Sequence, residues 1–98
     1  MRLAEFAIAA VPPATARAAA ARAVVDTVGV TLAGATQPAA RIVQRVIEAE
    51  GGSGCTVLGT AIAASPGNAA LANGTAAHAH DYDDMCFVSL AHPSAPLV

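Results

Sequence analysis

Ninety-eight residues with 55% hydrophobic content, 12% charged residues and a net charge of −2 make one small domain at most, poor in charge beside the about 25% usual for soluble domains. There is no lysine and the five arginines all lie in the first half, so no basic patch exists and nucleic acid is excluded as a partner. So bare a surface suits a solitary monomer badly; cover is expected from further chain, from another subunit, or from both.

The N-terminus has an arginine followed by Ala-rich sequence, but Glu5, Pro12-Pro13 and Arg17 break the apolar run too early for a signal peptide. A first helix is expected over Leu3 to Ala10, with Leu3, Phe6 and Ala7 on one side, closed by Pro12-Pro13. A second runs from about Ala14 to Leu32, where Ala21, Val24, Val25, Val28 and Leu32 form an apolar stripe. Gly29 costs roughly 1 kcal/mol of helix propensity, tolerable where a neighbouring helix comes close. Gly34 is a candidate C-cap.

Gln37-Pro38 opens a third helix whose expected buried face is Ile42, Val43, Val46 and Ile47, with Arg41, Arg45 and Glu48 outside. Gly51-Gly52 stops it. Cys55 to Leu58 reads as a short extended piece before Gly59. No GxxxxGK[ST] or GxGxxG motif supports phosphate binding. Gly51 to Ala77 carries no charge, yet Gly, Ser, Pro and Asn interrupt it, whereas a membrane span needs about 20 predominantly apolar residues. No membrane partner is expected, and Cys55 and Cys86, without CxxC spacing, read as reduced thiols of a cytoplasmic protein. Ser65-Pro66 opens a slim, Ala-rich fourth helix over Gly67 to about His80. Asn68 stands where a capping box prefers Glu or Gln. Asn73, inside this helix, needs hydrogen-bond partners, and structural bonding is favoured over ligand contact. The fold class is therefore all-α, with a short extended segment near 55–58.

Every histidine, and every aspartate except Asp26, falls between His78 and His92. A metal centre, a metal-free acid/base site and a polar rim at a helix end all fit such a concentration. Imidazole and carboxylate are ordinary ligands of zinc, iron or manganese. However, HxHxDH is broken because position 83 is Asp, and HExxH is absent. Acid/base chemistry needs only a histidine and a carboxylate that fixes its tautomer. His92, restrained by Pro93, is the best proton-transfer candidate, and Ser94 can cap a following helix. Asp81 can orient a histidine. His78 reads as a supporting or packing residue, His80 as satisfied or exposed, and Tyr82 as a packed ring. Asp83 and Asp84 read as loop ties through backbone N–H groups.

LANGTAAHAHDYDD at Leu71 to Asp84, HPSAPLV at His92 to Val98 and VVDTVGVTLAG at Val24 to Gly34 together resemble the MmgE/PrpD family. The resemblance covers almost the whole chain. It implies a large all-helical domain, of which 1–98 is the N-terminal portion, followed by a smaller α/β domain, usually in homodimers. Family members include 2-methylcitrate dehydratase, a carbon–oxygen lyase, as well as cis-aconitate decarboxylase and iminodisuccinate epimerase. They act on small di- or tricarboxylates without a metal or other cofactor. Carried over, the active-site aspartate falls at Asp81 and the motif histidine at His92. Asn73, Gly74 and His78 match further motif positions. Asp84 and Met85 join Asn73 and His78 as candidates for substrate contact or support. Met85 stands where many relatives place a threonine, and the loop to His92 is slightly longer. A polycarboxylate needs cations, which this stretch lacks; later chain is expected to supply them, and the 98 residues alone to be inactive. A non-catalytic assembly fragment and a metal hydrolase are the rival expectations.

Overall fold

Proline and glycine set the helix limits. The structure, a computed structural model, describes residues 2–98. In chain order it holds α1 (Leu3–Ala9), α2 (Ala14–Gly34), α3 (Pro38–Glu50), β1 (Cys55–Thr56), β2 (Ala63–Ala64), α4 (Pro66–His78) and α5 (Ser94–Leu97). The chain is thus mostly helical. Pro12-Pro13 separate α1 from α2, and Pro38 and Pro66 occupy first helical positions, where the missing N–H costs nothing. Gly51, at φ 71°, closes α3 as expected. Among the described residues no single helix is long and apolar enough to cross a membrane.

The buried faces differ from the expected ones. In α2 the valine stripe is not the inner face: Val24, Val25 and Leu32 are exposed, whereas Thr27, Thr31 and Gly34 are buried. The threonines bury because each hydroxyl donates to the carbonyl one turn back, Thr27 to Ala23 at 2.7 Å and Thr31 to Thr27 at 2.6 Å. Gly34 is the last helical residue, and Ala35 closes the helix. A Cβ at Gly34 would overlap the Ala76 carbonyl oxygen, so the close helix approach lies here. Gly29 has no such neighbour: a Cβ there would meet nothing within 4 Å.

The face of α3 is partly the expected one, since Ile47 is buried and Val43 packs against the core, but the remainder is turned away. Ala40, Gln44 and Ile47 are buried, while Ile42 and Val46 are both 55% exposed. Gln44 points inward because its amide donates to the Ala35 carbonyl at 2.9 Å, which ties the corner between α2 and α3. The extended piece is shorter than expected. Cys55 and Thr56 pair antiparallel with Ala64 and Ala63, a partner strand the sequence did not announce. Asn73 pins this hairpin to α4: its carbonyl accepts from Leu58 N–H at 2.9 Å and its amide donates to the Thr56 carbonyl at 3.1 Å.

α4 lies between α2 and α3 and buries Ala69, Ala72, Ala76 and Ala77. Its start is as expected, but the Ser65 hydroxyl makes no capping bond, and Asn68 donates to the Glu50 carboxylate at 2.8 Å instead. Ile47, Val57, Ala64, Ala69 and Ala72 form the core. α4 ends at His78, two residues earlier than expected. Asp81 takes a left-handed φ of 55°, which no helix can contain.

Candidate functional site

The early end of α4 builds the site. After His78 the chain turns, with Asp81 N–H donating to the His78 carbonyl at 3.0 Å. The reversal carries Asp83 back beneath the helix end. From the other side, a bridge between Cys86 and Ala91 returns the loop and delivers His92.

Asp83 is the centre of the arrangement. Its side chain is wholly buried, and its Oδ1 lies 2.9 Å from His78 Nδ1 in a hydrogen bond. Its Oδ2 lies 3.2 Å from His92 Nδ1, with an alignment short of a hydrogen bond. The two imidazoles meet edge to face, centroids 4.5 Å apart and planes at 70°. Asp81 is well exposed, with Oδ1 4.0 Å from His78 Nδ1 and 3.8 Å from His92 Nε2. Asp81 and His92, the two predicted catalytic residues, are thus brought together, and His78 joins them. The His78 imidazole is held above its ordinary 6.5, chiefly by the hydrogen bond to Asp83; partial burial opposes this, and the charges of Asp83 and Asp81 add to it.

Asp83 was expected only to tie a loop, so its central place corrects that expectation. A helix continued past His78 puts Asp83 on the wrong face; only the turn at Asp81 makes position 83 reachable. Asp84 ties the loop through side chain and backbone of one residue: it accepts Ser94 N–H at 3.0 Å and the Ser94 hydroxyl at 2.7 Å. The cap of α5 is therefore Asp84, ten residues upstream, and Ser94 is its buried partner. Asn73 is occupied by the hairpin. Met85 is 43% exposed and lies apart from the imidazoles' cavity. His80 stacks on Tyr82, centroids 5.2 Å apart and planes at 15°, outside the cluster; the Tyr82 ring is exposed rather than packed.

A cavity of about 610 Å³ opens beside the two imidazoles, walled by Leu71, Asn73, Gly74, Thr75, Ala95 and Leu97 among others. Its lining contains no arginine, so a carboxylate placed there meets only imidazoles as partners able to carry positive charge. His78, Asp81, Asp83 and His92 each offer a donor atom, all within 4.8 Å of one another, a set able to hold a divalent cation. The same atoms are also spaced as a carboxylate–imidazole relay would be, in which a fixed tautomer prepares a ring for proton transfer.

The MmgE/PrpD N-terminal domain family aligns with residues 2–98. No curated protein and no solved structure matches the chain.

Proposed function

The chain belongs to the MmgE/PrpD family, matching its N-terminal domain over residues 2–98, and from that premise we propose that it is part of a carbon–oxygen lyase that dehydrates a 2-methylcitrate-like hydroxy tricarboxylate by metal-free acid/base chemistry. The observation that carries this reading is His92: its ring lies between buried Asp83 and exposed Asp81, at the edge of a cavity. In the reaction a base takes the proton from the carbon next to a carboxylate, the electron pair forms the C=C bond, and the C–O bond breaks as an acid protonates the departing hydroxide to water. His92 serves as one proton-transfer group, and Asp81 orients it or the substrate.

The positive charge for the substrate's carboxylates comes from further chain of the same enzyme, in a cytoplasmic homo-oligomer. Uncovered Val24, Val25, Leu32, Ile42 and Val46 favour such cover; they are also what a non-catalytic assembly piece would show. Met85, where the resemblance implies a hydroxyl, bears on the substrate rather than on the family; the second reading is a cis-aconitate-type decarboxylase or an iminodisuccinate-type epimerase of the same family.

The test is an assay of the complete enzyme, this domain together with the chain that follows it, on 2-methylcitrate, cis-aconitate and iminodisuccinate. Loss of water from 2-methylcitrate is the expected result. Release of carbon dioxide from cis-aconitate, or epimerisation alone, selects the second reading. Turnover by the isolated 98 residues, or activity abolished by a chelator and restored by zinc, iron or manganese, overturns the proposal.

A further inference from the structure

Two buried atoms of the site lack a hydrogen-bond partner, Asp83 Oδ2 and His92 Nδ1, and they face each other. At 3.2 Å a slight turn of the imidazole completes the bond. The other oxygen of the same carboxylate already holds His78 Nδ1 at 2.9 Å. An ionised carboxylate only accepts hydrogen bonds. Cut off from solvent, it is satisfied only if both neighbouring nitrogens carry protons.

We infer that Asp83 is the positioning residue of this site: its one carboxylate takes the Nδ1–H of both His78 and His92, and so leaves Nε2 of each ring to exchange protons with a ligand. The tautomers follow from the geometry of a carboxylate that only accepts; the role in proton exchange rests on the lyase reading. For His92 the freed atom is the one beside Asp81, at 3.8 Å. This couples an exposed carboxylate to the working nitrogen and a buried one to the opposite nitrogen. His78 is the ring placed to hold positive charge. It ends α4, where the helix dipole favours a cation, it makes the shorter contact with Asp83, and it is the more exposed of the two rings. The other acidic neighbour, Asp84, is engaged with Ser94, and His80 stacks on Tyr82 outside the network. Nothing else charged competes for the Asp83 oxygens among the described residues.

The test is a long-range ¹H–¹⁵N correlation of the histidine side chains in the 98-residue chain, at a pH where the rings are neutral. His78 and His92 should both carry the proton on Nδ1, while His80 serves as the internal reference. Asp83→Asn should release His92 from that tautomer. If Asp83→Asn does not fold, the unsubstituted chain still decides, because a proton on Nε2 of either ring overturns the inference. So does stoichiometric uptake of Zn²⁺ with loss of both Nδ1–H signals, which would make the four residues a metal centre. In the complete enzyme Asp83→Asn should lower kcat by about 10²-fold or more with KM little changed, and move the pH profile. Intact tautomers with no effect of Asp83→Asn on turnover would overturn the role in proton exchange and leave the positioning of the two rings standing, whereas failure of the unsubstituted complete enzyme to dehydrate 2-methylcitrate would defeat the lyase reading alone.

Discussion

The inner and outer sides of the helical layer are built on opposite rules. Where α4 meets α2 and α3, the buried residues are mostly small or polar, among them Ala69, Ala72, Ala76, Thr27, Thr31, Gly34 and Gln44 beside Ile47; on the outside of the same helices stand Val24, Val25, Leu32, Ile42, Val46 and Leu71. Burial here follows how closely backbones approach and whether a polar group finds a carbonyl, rather than hydropathy. Among the described residues only Ile47 and Val57 are large and fully buried. The small inner residues bring α4 close enough for its end to deliver His78 to Asp83. The large outer ones leave an apolar surface suited to cover by other protein.

Substitutions on the two sides sharpen this contrast. Ile47→Ala removes one of the two large core side chains and should cost about 2–5 kcal/mol in denaturant unfolding. Val46→Ala beside it, more than half exposed, should stay within about 0.5 kcal/mol. A similar cost for both would erase the distinction between the faces. Next in size is Gly34→Ala, whose methyl collides with backbone and should destabilise by about 1–3 kcal/mol. Asn73→Ala frees the Leu58 N–H and Thr56 carbonyl and should cost about 1–2 kcal/mol, with hydrogen exchange quickened first in the hairpin. Gly29→Ala, on the open side, should instead stabilise by about 0.5–1 kcal/mol.

The smallest effect is the pH dependence at His78. Its folded imidazole binds its proton more tightly than the ordinary 6.5 of the unfolded chain. Its stabilising contribution is therefore complete below 6.5 and is lost as pH rises through the higher folded value. The side chain is 53% exposed, so the slope is shallow. His78→Gln should flatten it. A slope of opposite sign would contradict the pairing with Asp83.

Helix starts and the end of α3 were legible because Pro12-Pro13, Pro38, Pro66 and Gly51 act locally. Helix faces were not. A stripe of valines reads as a core, and nothing in the sequence says that Thr27 and Thr31 will satisfy their own hydroxyls and turn inward. Ala63-Ala64 carries no strand signal of its own; its pairing depends on the turn from Val57 to Ile62. At the site, the motif resemblance pointed to Asp81 and His92, which the fold does place together. Asp83 was hidden because its position depends on Asp81 leaving the helical conformation, a single backbone choice that periodicity does not encode.

The most direct measurement is kcat of the complete enzyme on 2-methylcitrate, with Asp81→Asn and His92→Gln compared against the unsubstituted protein at equal helicity. A loss on the order of 10²–10⁴-fold in His92→Gln, with a clear loss in Asp81→Asn, is the predicted result. Undiminished turnover in His92→Gln would contradict an acid/base site at the end of α4.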